Sequence, residues 1–212
     1  MTDVIRIEGG PIPTNCYLFR DPQTGLAAVV DPGFENDDLE QALRREKVAA
    51  ILLTHGHFDH ISGVRKVREL TGAKVYLQED DAAFPDNPEL NLAGMFGSAG
   101  VPAFRPDVLL HDGDTVTIGS RAVRVLHTPG HTAGGCCFLV EDALFSGDTL
   151  MRLSCGRTDF PTGSMSCLEN SLKKLVGLKG DYRVFPGHGP ETTLDFERRN
   201  NPFLEEFYDS GH

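Results

Sequence analysis

Apolar positions recur along this chain in two distinct rhythms. Residues 26–31 and 48–54 are near-continuous apolar runs, the pattern of strands buried on both faces, and residues 15–20 read as a further strand. Between the runs the period lengthens. Leu39, Ala42 and Leu43 mark one helical face, and Asp37-x-x-Glu40 predicts a capping box ahead of it. Ile61, Val64, Val67 and Leu70 recur three apart with Arg65, Lys66 and Arg68 between them, which predicts a second helix beginning near Asp59 or His60. Lys74–Gln78 returns to strand, and residues 79–106 carry no sustained period, so irregular and partly helical chain is expected there.

From Val108 the pattern is mostly that of strands: Thr115–Ile118, residues 122–127, Cys136–Val140 and residues 143–146. Ser166-x-x-Glu169 predicts the cap of a helix whose Leu168, Leu172, Leu175 and Val176 share a face. Residues 182–186 form one more apolar strand, followed by a short polar tail. The 23 glycines and 13 prolines are spread as punctuation, and no repeat or linker divides the chain, so one domain over residues 1–212 is expected. Strands and helices alternate in two successive batches. That predicts an α/β fold whose buried sheets are covered by helices on the outside.

Composition narrows the function. Hydrophobic residues make up 40% of the 212 and charged residues 24%, the balance of a globular chain. With 31 Asp and Glu against 20 Lys and Arg, the net charge is -11, which disfavours nucleic-acid backbones and anionic bilayers as partners. No window approaches the ~20 apolar residues of a membrane span. The first residues show neither a basic nor an apolar leader region, and five cysteines are odd in number and scattered, so a reducing, cytoplasmic setting without disulfides is expected.

Candidate chemistry lies in the histidines. Three of eight fall within Thr54-His55-Gly56-His57-Phe58-Asp59-His60, directly after an apolar strand. His55 and His57, two apart, point the same way in extended chain, and Asp59 and His60 sit at the expected helix start. Such clustering of His with Asp predicts a metal site. One turn offers too few ligands, and three further motifs follow apolar strands in the same manner: Thr128-Pro129-Gly130-His131-Thr132, Ser146-Gly147-Asp148-Thr149 and Pro186-Gly187-His188-Gly189-Pro190. Cys155 is expected to be an inert thiol, His111 and His127 structural, and His212 part of a loose terminus. Asp31, at a strand end, is expected to orient a ligand rather than to bind metal, and Asn15-Cys16-Tyr17 to be architectural.

The ordered series THGHFDH, TPGHT, SGDT and PGHGP resembles the metallo-β-lactamase superfamily. Cys155-Gly-Arg-Thr-Asp-Phe160, with Gly187-His-Gly-Pro-Glu-Thr-Thr193 and Glu197-Arg-Arg-x-Asn-Pro202, is similar to the short bacterial glyoxalase II-like hydrolases. The resemblance implies an αββα sandwich with a dinuclear site at the sheet edge. His55, His57 and His131 would hold one divalent metal, Asp59, His60 and His188 the second, and Asp148 would bridge them. Zinc suits this mixture of imidazole and carboxylate best, with iron or manganese also suited. Four positive charges against two carboxylates would lower the pKa of a shared water toward ~7, so Asp59 and Asp148 are assigned to catalysis with a metal-bridging hydroxide.

The implied reaction is hydrolysis of a small-molecule thioester, S-lactoylglutathione or a related ester, to lactate and a thiol. Arg157 matches a position that carries a basic residue near the glycine carboxylate of glutathione, although an ordinary ion pair is an equal reading of it. Only 24 residues follow His188, so the C-terminal helical domain of long glyoxalase II enzymes, which supplies much of the glutathione site, is expected to be absent. Two rival readings stay open. One is a sulfur dioxygenase acting on a persulfide through a single iron on two His and one carboxylate; the other is a non-catalytic metalloprotein.

Overall fold

The structure is a computed structural model that describes residues 1–96 and 101–205; His212 lies outside the described residues. The chain opens with β1 (Val4–Gly9), β2 (Thr14–Arg20) and β3 (Leu26–Val30), each antiparallel to the next. Helix α1 (Asp37–Arg45) leads to β4 (Lys47–Leu52), parallel to β3. Helices α2 (Phe58–Ile61) and α3 (Val64–Thr71) lead to β5 (Lys74–Gln78), and β6 (Val108–Leu110) closes this six-stranded sheet, both strands again parallel.

The second sheet begins as an antiparallel meander of β7 (Thr115–Ile118), β8 (Arg121–His127), β9 (Cys136–Val140) and β10 (Ala143–Gly147). A small ribbon, β11 (Leu150–Met151) with β12 (Ser154–Cys155), and helix α4 (Met165–Val176) come next. The sheet is completed by β13 (Arg183–Pro186), parallel to β10, and β14 (Thr192–Thr193), before helix α5 (Leu194–Asn200). The result is an αββα sandwich, the architecture that the resemblance implies.

The period of two along each strand explains the layers. In the first sheet Leu18, Val29 and Ile51 face α1 and α3, while Phe19, Val30 and Leu52 face the second sheet. In the second sheet Phe138 and Phe145 point inward, and Leu144 and Val184 point out against Leu168, Leu172 and Leu175 of α4. Cys136 and Cys137 accordingly enter different cores, and all five thiols are free. Tyr17 and Phe19 of one sheet meet Phe145 of the other with ring centroids 5.5 and 5.4 Å apart, and Phe145 stacks on Phe185 at 5.2 Å. Among the described residues no helix is long and apolar enough to cross a membrane.

Four local expectations are corrected. Asn36, not Asp37, caps α1 by accepting from the Leu39 amide, leaving Asp37, Asp38 and Glu40 in the first turn where the helix dipole favours them. Ser164 rather than Ser166 caps α4. The helix expected to run from 59 or 60 to 70 is two helices. Gly63 between them donates to the Pro32 carbonyl, and a Cβ there would stand 2.3 Å from the Phe34 carbonyl oxygen, so the loop after β3 breaks the helix. The polar tail is structured: Thr193 caps α5, whose Glu197 is fully buried and accepts from the Leu153 amide, Thr192 Oγ1 and Asn201 Nδ2. Strand β1 has no apolar run because it is a half-exposed edge strand.

Phe145 links both sheets through its ring contacts. Phe145→Ala is expected to cost about 3–5 kcal/mol in denaturant unfolding, as for other fully buried aromatics. A loss below about 1 kcal/mol would show that the intersheet core relaxes around the cavity.

Candidate metal centre

Chain direction brings the motifs together. The ends of β3 and β4 lie side by side because these strands are parallel. In the second sheet β8 runs with β10, since both are antiparallel to β9, and β10 runs with β13. The loops after β8, β10 and β13 therefore leave from one edge, carrying His131, Asp148 and His188 toward the loop after β4. Cross-sheet bonds seat them: the Cys136 amide donates to the Thr54 carbonyl at 2.8 Å, and the Asn15 amide to the Gly187 carbonyl at 2.8 Å. The Asn15 side chain and the Tyr17 hydroxyl both donate to the Pro186 carbonyl, at 2.9 and 2.7 Å. The architectural role expected of Asn15 and Tyr17 is thus to fix the His188 loop.

All seven expected metal ligands meet at this edge. Donor atoms of His55, His57 and His131 lie within 4.8 Å of one another, as do those of His55, His60 and Asp148, and those of Asp59, His60 and His188. Asp148 stands between the sets. Its Oδ2 is 3.4 Å from His131 Nε2 and 3.5 Å from His188 Nε2, and its Oδ1 is 3.6 Å from His60 Nε2. Asp59 Oδ2 lies 3.2 Å from His188 Nε2 and 3.7 Å from His60 Nε2. Gly187 is required by this crowding: a Cβ there would stand 2.2 Å from Asp148 Oδ1.

The outer nitrogen of four rings is committed to an acceptor, which aims the inner nitrogen into the cluster. His131 Nδ1 donates to the Arg157 carbonyl at 2.7 Å, and His188 Nδ1 to the Pro13 carbonyl at 2.7 Å. His60 Nδ1 donates to Asp31 Oδ2 at 3.0 Å. Thr54 Oγ1 gives its proton to the same carboxylate oxygen at 2.6 Å, so it accepts from His55 Nδ1 at 3.1 Å. Asp31 therefore orients two ligands at once, the role expected of it. His55 Nε2 is left buried without a partner, while His57 turns Nδ1 to within 2.9 Å of His131 Nε2. Buried lone pairs converging on two carboxylates fit divalent cations.

Charge divides the cluster. Burial, with His60 and His57 nearby, pushes His55 far below the usual imidazole range, and burial with His131 pushes His57 down to about 3. Burial also opposes charge on His60 and His188, but Asp59, Asp148 and Asp31 outweigh it at His60 and raise its pKa. Hydrogen bonds to Asp148 and Asp59 carry His188 up to about 11. Asp148 is held well below the carboxylate range despite its burial, because His60, His188 and His131 surround it.

The cluster forms one end of a cleft of about 390 Å³ lined also by Ile12, Phe58, Leu92, Phe96, Phe160 and Arg157. Arg157 reaches this cleft as expected, yet Asp159 occupies its Nε and Nη2 at 2.6 and 2.5 Å. Cys155 is half-buried at the cleft, and burial raises its thiol to about 11. His127 stays outside the cluster, bonding the Ala133 carbonyl, and His111 pairs with Glu79 and Asp114. Sequence reasoning missed Asp81. This buried carboxylate accepts from the Gly56 and Gly134 amides at 2.9 and 2.7 Å and from Thr132 Oγ1 at 2.8 Å, tying the His57 loop to the His131 loop. Its only signal was an acidic run, Glu79-Asp80-Asp81, directly after a strand.

Fold and cluster together define an αββα protein built to hold metal ions. The chain belongs to the metallo-beta-lactamase superfamily, whose sequence profile matches residues 9–188. Among its relatives, the probable metallo-hydrolase YqgX of Bacillus subtilis is 37% identical over 208 residues, covering 95% of this chain and 97% of that protein. The hydroxyacylglutathione hydrolase GloC of Haemophilus influenzae is 35% identical over 198 residues, covering 90% of this chain and 92% of that protein. The crystal structure of the BLEG-1 B3 metallo-beta-lactamase superposes with a TM-score of 0.91 at 37% identity, over 96% of this chain and 100% of that one. That of TTHA1623 in a di-iron-bound form gives 0.84 at 36% identity, over 94% of this chain and 100% of that one.

Two measurements follow from the geometry. Gly187→Ala is expected to reduce metal bound per chain while circular dichroism stays native; full occupancy would mean that the loop yields to the added methyl. Because a cation must displace the protons held at His60 and His188, metal binding is expected to weaken as pH falls and to release protons near neutrality. Calorimetric titration in two buffers of unlike ionisation enthalpy checks this; identical heats would contradict it.

Proposed function

We propose that the protein is a metal-dependent hydrolase of small thioesters, of glyoxalase II type, acting on S-lactoylglutathione or the ester of a related thiol. The observation that carries the reading is Asp148 standing between two donor sets at one end of the cleft. His55, His57 and His131 would hold one ion, Asp59, His60 and His188 the other, with Asp148 shared. Two divalent cations, zinc, iron or manganese, would supply a water of lowered pKa and Lewis-acid stabilisation of a carbonyl oxygen.

The chain's own contribution is positioning. Asp31, Thr54 and the carbonyls of Pro13 and Arg157 hold the four rings so that their inner nitrogens need not reorganise. Thr14 Oγ1 donates to Asp59 Oδ2 at 3.2 Å and fixes that carboxylate beside His188. Ile12, Phe58 and Phe160 make the approach to the cluster apolar. Burial raises the Cys155 thiol to about 11, so it offers little thiolate as a nucleophile at neutral pH. The relative named GloC supports the thioester as substrate class. The likeness to a B3 metallo-beta-lactamase supports a second reading, hydrolysis of a β-lactam amide at the same centre.

Asp148→Asn removes a negative charge shared by both donor sets. Thioester hydrolysis is expected to fall beyond the ~10²–10⁴ of a lost acid–base group, with metal content falling below two per chain. Cys155→Ala is expected to keep most activity. A single iron per chain with oxygen consumed on a persulfide, or turnover of β-lactams alone, would sink the thioester reading.

A further inference from the structure

The two donor sets are held from behind by different groups. In the second set, Asp31 takes up His60, the Pro13 carbonyl takes up His188, and Thr14 holds Asp59. In the first, Thr54 takes up His55 and the Arg157 carbonyl takes up His131. His57 has no such anchor among the described residues. Its Nδ1 faces His131, and its Nε2 is buried without a partner. Phe84 and Phe160 pack against that ring, with centroids at 5.9 and 5.8 Å. The backbone on either side is better secured. Asp81, fully buried, accepts from the Gly56 amide at 2.9 Å, directly before His57. It also accepts from Thr132 Oγ1 at 2.8 Å and the Gly134 amide at 2.7 Å, just after His131. Room for the carboxylate is built in, since a Cβ on Gly134 would stand 2.6 Å from Asp81 Cγ.

Resting on the two donor sets of the proposed function, we infer that Asp81 is the positioning residue of the first set. It fixes the His57 and His131 backbones against each other, standing in for the outer ring bond that His57 lacks. It thereby sets how tightly His55, His57 and His131 hold an ion, and leaves the second set nearly untouched. Charge works in the same direction. The first set is three imidazoles without a carboxylate of its own, whereas the second includes Asp59. Asp81 places a negative charge behind the first set, and both its oxygens accept from amide N–H groups, which suits the ionised form. Burial raises the Asp81 pKa, while Thr132, the two amides and His131 offset part of that rise, so its charge is felt at His131. In a buried, low-dielectric setting such a charge attracts a cation over several ångströms. Asp81 thus serves the first set as Asp31 serves the second, through backbone rather than through a ring nitrogen.

The test uses zinc-loaded full-length protein, a graded series of chelator concentrations, and nitrogen NMR of the histidine rings to see which ions leave. In wild type, zinc is expected at both sets. Asp81→Asn keeps the side-chain volume, removes the charge and turns an NH2 toward an amide that donated to it. It is expected to weaken zinc at His57 and His131 by about tenfold or more, the cost of losing an outer partner, and to leave zinc at His60 and His188 within about threefold. Thr132→Val keeps the charge and loses one tie. It should weaken the first set by about threefold or more, with Thr132→Ser within about twofold of wild type. These two variants decide the matter if Asp81→Asn does not fold. Equal weakening at both sets, the mark of a merely structural carboxylate, would overturn the inference. So would unchanged zinc at His57 and His131, or equal affinities for Thr132→Val and Thr132→Ser. Wild-type protein without zinc at His57 and His131 would instead refute the two-set reading, and the inference with it. Thioester turnover enters none of these outcomes and is judged separately.

Discussion

Burying two carboxylates and five imidazoles at one seam is the constraint around which this protein is organised. Desolvation penalises every charged form there, and like groups brought this close repel. Such a cluster persists only where outer hydrogen bonds fix each ring and cations balance the carboxylates. The structure supplies the first requirement for four of the five rings; His57 Nε2 is buried without a partner. Asp31, Thr54, Pro13 and Arg157 each take up one outer ring nitrogen, directly or through a hydroxyl, so the inner nitrogens are aimed before any ion arrives. The donor set defines the second requirement.

That frame depends on two sheets being held in register rather than on any single loop. Aromatic contacts between β2 and β10 set the spacing, and backbone bonds from Asn15 to Gly187 and from Cys136 to Thr54 set the relative position along the seam. Asp81 adds a third tie between the His57 and His131 loops. These ties are polar yet buried, and each partner is satisfied, which is the condition under which buried polar groups specify one arrangement. The seven clustered side chains therefore inherit their precision from the sandwich core.

Two parts of the molecule thus answer to different demands. The floor of the cleft is set by ligand geometry, common to a superfamily in which similar centres serve different substrates. The wall is set by Ile12, Phe58, Leu92, Phe96, Phe160 and the paired Arg157 and Asp159.

The α/β class, most strands, the helical faces and the seven residues that meet at the seam were legible in the chain, because apolar period and clustered His and Asp motifs are local signals. Local signals failed where partners distant in sequence decided the outcome. The helix after His57 breaks at Gly63 because the loop after β3 presses against it, and the polar-looking end is helical because the buried Glu197 accepts from donors 4 to 44 residues away. The pairing of Arg157 with Asp159 lies within one short motif, but whether that fork stays free is a matter of side-chain conformation. Asp81 carried no motif at all. A hydrogen bond to a loop fifty residues downstream exists only once the two sheets have packed, and for that reason the tie that Asp81 makes belongs to the tertiary structure alone.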